Sequence, residues 1–356
     1  MQLLVAGGRH ITQSLDMDDL APEILLRVVN FLPLKRVFLI MRISKSFEAA
    51  CRRNIATRKH LGLGCSEKKY VPDVDQVRVK RWPKGQDRLA METCLMRMKR
   101  LRALVVGNKN VSRLMIHLLI ENNCETLEVV ILYNEDKHSM PSILLPNLKV
   151  LDASNAFGDL NYRLYPNLRI LVAPNCYSDD LVNFPVCLTS MTFGFFDDYD
   201  ITARALPRLQ NLSDITVQID GFELNRVITV LQTLKRLERL RLLYDRFHVP
   251  HQPPSSTSLS SLVEEMPNLK NLELDDVSLE HEALNELCGL RLLQHLQIKK
   301  CGFKWTTDEV RRFLTDGPIA SLITLVLEVS DEDGVRDMAN QVRQQCGREL
   351  QFSIPG

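Results

Sequence analysis

From residue 101 onward the apolar positions recur as Leu-x-x-Leu-x-Leu. The first leucine of each unit falls at Leu101, Leu127, Leu148, Leu168, Leu188, Leu212, Leu237, Leu269, Leu293 and Leu322. Successive starts lie 26, 21, 20, 20, 24, 25, 32, 24 and 29 residues apart. Alternation within a unit predicts a short strand whose inner residues, such as Leu151 and Ala153, face a core while the third and fifth motif residues face away. No unit buries its apolar side alone, so neighbours must stack into one array.

The spacers between these strands read as helices where they are long enough. Leu224, Val227, Ile228 and Leu231 form one apolar stripe, at helical spacing. Ser278 opens a second, with Ala283, Leu284 and Leu287 inward and Gly289 as a stop. Thr306 and Glu309 make a capping box ahead of Val310, Phe313 and Leu314, and Gly317-Pro318 ends that helix. The 20- and 21-residue units leave room only for turns or 3₁₀ segments. At the far end Val335, Met338, Val342 and Cys346 form a helical stripe, and Leu350, Phe352 and Ile354 alternate as a strand. This last unit, polar at Glu332, Asp333, Arg336, Asp337 and Arg343, reads as a closing cap.

The N-terminal part has a different rhythm. Residues 1–14 read as a flexible tail, and Ser14 to Asp19 supply caps and negative charge for a helix. Pro22 suits the first turn, and Ile24, Leu25, Val28, Phe31 and Leu32 give the helix one apolar side. Pro33 ends it, because the residue before a proline avoids the α region. Two more apolar segments follow, Val37 to Met41 and Ile43 to Ala50. Three short helices bury too little surface to be stable alone, so their apolar excess calls for a partner.

These residues resemble the F-box motif. The matching positions are Leu20-Ala21-Pro22-Glu23-Ile24-Leu25, then Val28, then Leu32-Pro33-Leu34 with Val37, then Ile43-Ser44-Lys45-Ser46-Phe47. Ala21 stands where the family usually has its first proline, and Phe47 where tryptophan is commoner. The array after Arg100 resembles the leucine-rich repeats fused to F-boxes, most visibly in PNLKVLDASN at 146, PNLRILVAPN at 166 and PNLKNLELDD at 267. Cys176 and Cys301 fall at the ninth motif position, where such repeats place Asn or Cys to bond backbone; Asn108, Asn134, Asn155 and Asn175 come one place earlier.

The two resemblances together imply an α/β repeat solenoid: a three-helix F-box over 15–62, a basic connector and cap over 63–100, and a curved leucine-rich-repeat array over 101–356 with a parallel sheet on its concave face. They imply a non-catalytic substrate-recognition adaptor of an SCF-type cullin–RING ubiquitin ligase. Leu20, Pro22, Ile24, Leu25, Val28, Phe31, Leu32, Pro33, Val37, Ile40 and Phe47 would dock on a Skp-type adaptor, while the repeats hold an unidentified client protein. The alternative is a leucine-rich-repeat interaction scaffold with no ligase role, its N-terminal helices serving only as a cap.

Composition narrows the setting. The 356 residues are 45% hydrophobic and 25% charged, with a net charge of +1, as in a folded chain. That balance conceals an asymmetry: residues 35–102 carry 19 Lys and Arg against 6 Asp and Glu, and residues 103–356 carry 24 against 34. A basic face opposite an acidic partner fits the first, and so does a solvated linker. No apolar run approaches the roughly 18 residues that cross a bilayer, so no membrane partner is expected. Nine cysteines scattered without a CxxC pair suit reduced thiols in cytoplasm or nucleus.

Candidate chemistry is sparse. His248-Val249-Pro250-His251 lies in a Pro-rich spacer without a carboxylate nearby, and Phe195-Phe196-Asp197-Asp198-Tyr199-Asp200 lacks the turn glycine of a calcium loop and reads as solvated. Arg78-Val79-Lys80-Arg81-Trp82-Pro83-Lys84 offers a single aromatic for base stacking, so nucleic acid is not the expected partner. No phosphate-binding, hydrolase or metalloprotease motif occurs, and no cofactor is expected.

The expected client face is the outward side of the strands. In the first four units that side carries Ala103, Val105, Val129, Ile131, Val150, Asp152, Ile170 and Val172; in later ones it carries Asp214, Thr216, Arg239, Arg241, Asn271, Glu273, His295 and Gln297. Val105, Val129, Ile131, Val150, Ile170, Val172, Arg239 and Arg241 are the candidate contacts. So large an apolar patch implies a cover, either a client peptide or a flanking segment of the same chain.

Overall fold

A computed structural model describes residues 21–30, 37, 41, 44–63, 76–79, 86–107, 111–133, 140–154, 160–194, 197–219, 224–244, 259–277, 279–280, 282–300, 304–316, 321–327, 329, 334, 337 and 351–353. Packing divides the chain into two compact units, Met1–Thr126 and Leu127–Gly356.

In the first unit a helix over Pro22–Asn30 packs on one over Lys45–Thr57. The second begins at Ser44, whose hydroxyl accepts the Phe47 N–H at 3.2 Å, which satisfies one of the unpaired donors of a helix start. Phe47, Ala50, Cys51, Asn54 and Ile55 are its buried side, three and four apart as one helical stripe requires. Leu25, Val29 and Val37 are fully buried in the same core.

Arg58, in extended conformation, and Lys59 lead from this helix into strand β1, His60–Leu63. Periodicity predicts no strand here. Four residues with one alternation, Leu61 and Leu63 both buried, fall below what periodicity detects. β1 pairs in parallel with β2 (Gln76–Val79) on one side and β3 (Ala103–Val106) on the other. The spatial order is therefore β2-β1-β3. A helix over Gln86–Leu95 packs against Lys45–Thr57. A further helix, Arg113–Glu121, completes the unit.

The second unit is an α/β solenoid of the leucine-rich-repeat type. Its strands are β4 (Val129–Leu132), β5 (Val150–Asp152), β6 (Ile170–Ala173), β7 (Ser190–Phe193), β8 (Asp214–Ile219), β9 (Arg239–Tyr244), β10 (Asn271–Asp275), β11 (His295–Lys299), β12 (Thr324–Val326) and β13 (Gln351–Ser353). Each pairs in parallel with the next in chain order. β3 to β12 all begin two residues after a motif leucine. All ten of those leucines are at most 4% exposed; fully burying one is worth roughly 1.5–3 kcal/mol.

Two ladders hold successive coils. One backbone carbonyl accepts two N–H groups from the next coil, as Lys149 does from Arg169 and Ile170 at 2.8 and 2.9 Å. At several coils the residue before the motif leucine adds a side-chain bond. Asn167 Nδ2 donates to the Pro146 carbonyl at 2.8 Å, Asn211 Nδ2 to that of Val186 at 3.2 Å, and Ser321 Oγ to that of Arg291 at 3.0 Å. In each pair the acceptor is the residue two before the preceding motif leucine. In the Pro-Asn-Leu copy at 166–168 the asparagine thus makes an inter-coil hydrogen bond.

Spacers follow their length. The two 20-residue units contain 3₁₀ segments, Tyr162–Leu164 and Ser178–Asn183. Longer ones contain α-helices, Leu224–Leu231, Ala283–Leu287 and Thr307–Asp316 among them, with the expected stripes buried. Glu309 and Thr306 exchange the bonds of a capping box, Thr306 N–H to Glu309 Oε2 at 2.7 Å and Glu309 N–H to Thr306 Oγ1 at 3.3 Å. Gly194 sits where a β-carbon would lie 2.1 Å from the Pro174 carbonyl oxygen, so only glycine fits. Ser278, Gly317-Pro318 and the stripe of Val335, Met338, Val342 and Cys346 lie outside the described residues.

Candidate protein-interaction surfaces

The helix Pro22–Asn30 has two apolar sides, and only one is used within the unit. Leu25 and Val29, four apart, are fully buried, while Ile24 is 50% and Val28 46% exposed. Side chains at i and i+4 share a helix face, so Ile24 and Val28 form a second, open stripe with Pro22 exposed at its start. Leu25, Val37 and Phe47, expected among the adaptor contacts, belong instead to the internal core. Phe47 is 3% exposed and the other two are fully buried. Their surface is satisfied inside the chain, which leaves none for a partner. Leu20, Phe31, Leu32, Pro33 and Ile40 lie outside the described residues.

The outward side of the sheet in the second unit is set by register. β6, β7, β8 and β10 each alternate half-buried with buried residues, which puts the third and fifth motif residues on the face away from the core, as expected. Strand pairing aligns Val129, Val150, Ile170, Ser190, Asp214 and Arg239 in one row. A second row runs Ile131, Asp152, Val172, Thr192, Thr216 and Arg241.

Not every residue of this face is open. Ile131 is 1% and Asp152 4% exposed, and in the first unit Ala103 and Val105 are both 3% exposed. Both sides of β3 are buried, as are the later positions of β4 and β5. Val105 and Ile131 are therefore core residues and not groove contacts. Val129, Val150, Ile170 and Val172 remain half-buried, and Arg239 and Arg241 are exposed.

Beyond β7 the face is held by polar pairs across neighbouring strands. Arg239 Nη1 lies 3.7 Å from Asp214 Oδ2, and Arg241 Nη2 lies 3.0 Å from Glu273 Oε1, which also accepts from the Gln297 amide. Burial pushes the Asp214 carboxyl above the usual carboxylate range, with Arg239 and the Ser190 hydroxyl pulling it back. His295 Nδ1 and Thr324 Oγ1 are 3.1 Å apart on β11 and β12, and Lys300 Nζ reaches Asp275 Oδ1 at 3.4 Å.

The remaining candidates resolve as structural parts. Asp197 Oδ1 accepts the Ser178 N–H at 2.7 Å, and Asp198 caps the helix Tyr199–Ala205 by accepting the Ile201 N–H at 2.8 Å. The carboxylates Asp197, Asp198 and Asp200 are exposed, as expected, and the first two also hold backbone N–H groups beside the buried Ser178 and Thr202. Cys176 is buried beside the Tyr162 hydroxyl, and burial lifts its thiol to about 12. Asn175, one position earlier, is the residue that bonds the preceding coil, donating to the Ser154 carbonyl at 3.1 Å. Cys301, Asn108, Asn134, Asn155 and the His248–His251 spacer lie outside the described residues. Among the described residues no group of three or more His, Cys, Asp and Glu is placed to hold a metal ion, and no helix is long and apolar enough to cross a membrane.

These surfaces offer apolar contact, hydroxyls and guanidiniums. No protein-family model matches the chain, and no curated protein matches it. Among solved structures, the crystal structure of a TLR13–ssRNA13 complex is similar at 13% identity with a TM-score of 0.40. That alignment covers 76% of this chain and 45% of the other, so the chain spans less than half the length of the protein it resembles.

Proposed function

We propose that this chain is a protein-interaction scaffold that docks through its N-terminal helices on a Skp-type adaptor of a cullin–RING ubiquitin ligase and presents a client protein on its repeats. The observation that carries the docking half is the open stripe of Ile24 and Val28, 50% and 46% exposed on a helix whose adjacent stripe, Leu25 and Val29, is buried. Apolar residues repeated on one exposed helix face suit helix-in-groove recognition. The resemblance of residues 20–47 to the F-box motif names the class of partner, and the repeat solenoid supplies a client platform.

In this reading the chain performs no chemistry. It raises the effective concentration of a client beside the ligase's ubiquitin-loading enzyme and orients it there. A scaffold with the same repeats and no ligase partner is the second reading.

Co-purification with a Skp-type adaptor separates the two. The intact chain should retain the adaptor, and Ile24→Asp with Val28→Asp should release it without altering the melting temperature, because both side chains are exposed. Equal retention by parent and double variant would sink the docking reading and leave the plain scaffold.

A further inference from the structure

The outward face from β5 to β9 changes character along one direction. Val150 and Ile170 lead to Ser190 and then, across β8, to Arg239 in the same paired row. Val172 and Arg241 occupy the same two ends of the neighbouring row. An apolar end and an end carrying two ion-paired arginines, with Asp214 on β8 between them, are thus three strand spacings apart, about 14 Å.

Arg239 and Arg241 are both ion-paired, yet the pairs leave the positive partner outermost. Side-chain exposure is 63% for Arg239 against 35% for Asp214, and 47% for Arg241 against 27% for Glu273. A guanidinium carries five N–H donors, and one carboxylate occupies at most two of them. Exposed ion pairs also gain little in water. Both arginines can therefore accept a further carboxylate from above without losing their own.

We infer that this face binds an extended acidic segment of a client polypeptide, its apolar residues on Val150, Ile170 and Val172 and its Asp or Glu side chains on Arg239 and Arg241. An extended chain advances about 3.3 Å per residue, so the acidic group follows the apolar one by about four to five residues, in either chain direction. This rests on the interaction-scaffold reading and is independent of adaptor docking.

The test is selection from a phage-displayed random dodecapeptide library on the immobilised full chain, with an oligouridine tested in parallel. Enriched peptides should pair an apolar cluster with Asp or Glu at that spacing. By fluorescence anisotropy below the variant's own unfolding transition, Arg239→Glu with Arg241→Glu should weaken the best peptide by about tenfold or more. The reversal also sets Glu opposite Asp214 and Glu273, so circular dichroism checks that the variant is folded at the assay temperature. A peptide with its Glu changed to Lys should prefer the double variant. Enrichment without acidic residues, indifference to charge reversal, no enrichment over an unrelated protein, or arginine-dependent binding of the oligouridine alone would each overturn the assignment. Ile24→Asp with Val28→Asp should leave peptide affinity unchanged, so loss of adaptor binding and loss of peptide binding are distinguishable failures.

Discussion

Asn123 accepts the N–H of Leu101, 22 residues earlier, on its Oδ1 at 2.8 Å. Its Nδ2 donates to the carbonyls of Met98 at 2.8 Å and Leu119 at 2.7 Å. At 2% exposure this one side chain joins the end of the helix Arg113–Glu121 to the turn that leads into β3. Replacing it with leucine strands an N–H and two carbonyls away from water. Asn123→Leu should cost roughly 3 kcal/mol or more, read as a lower midpoint in urea unfolding; a cost under about 1 kcal/mol would mean that water reaches the site.

The two apolar sides of the first described helix should answer differently to truncation. Leu25→Ala removes a fully buried side chain and should destabilise by about 2–5 kcal/mol. Ile24→Ala, at 50% exposure, should stay within about 0.5 kcal/mol. Thermal denaturation of both variants checks this, and equal losses would show that Ile24 is covered in solution.

Gly194→Ala places a β-carbon 2.1 Å from the Pro174 carbonyl oxygen. Backbone cannot swing aside as a side chain does, so β6 and β7 must separate locally. The expected loss is about 1–3 kcal/mol, with Gly289→Ala milder because its 2.3 Å neighbour is the Val263 side chain.

Burial holds the thiols of Cys51 and Cys176 up to about 11 and about 12. An acid whose folded value is raised keeps its proton in the native state while the unfolded chain releases it. The stability this burial contributes is complete below the ordinary thiol value of 9.0 and is lost as pH climbs from there to about 11 and 12. Unfolding midpoints should therefore fall across that alkaline range, and less steeply in Cys176→Ser. At neutral pH an alkylating reagent should label the half-buried Cys124 and Cys187 before either buried thiol.

Much of the array was legible because its signal is periodic and redundant. Each motif leucine needs a buried site and each strand must begin at a fixed offset from it, so ten repetitions fix the register with no knowledge of contacts. Capping at Thr306 and the 3₁₀ spacers followed from local chemistry and length. β1 was not legible: His60-Leu61-Gly62-Leu63 is a strand because β2 and β3 lie on either side of it, and that is a contact between distant segments.

What the sequence determined by itself is therefore the set of residues that face inward along the solenoid and the helix that carries Ile24, Leu25 and Val28. Only the tertiary structure decided which outward residues meet solvent. Val172 and Ile131 hold the same motif position, yet one is half-buried and the other 1% exposed. Likewise Leu25 is covered and Val28 is not. Periodicity reports which side of an element a residue takes, because that is a property of local backbone geometry; exposure depends on what the rest of the chain brings against that side.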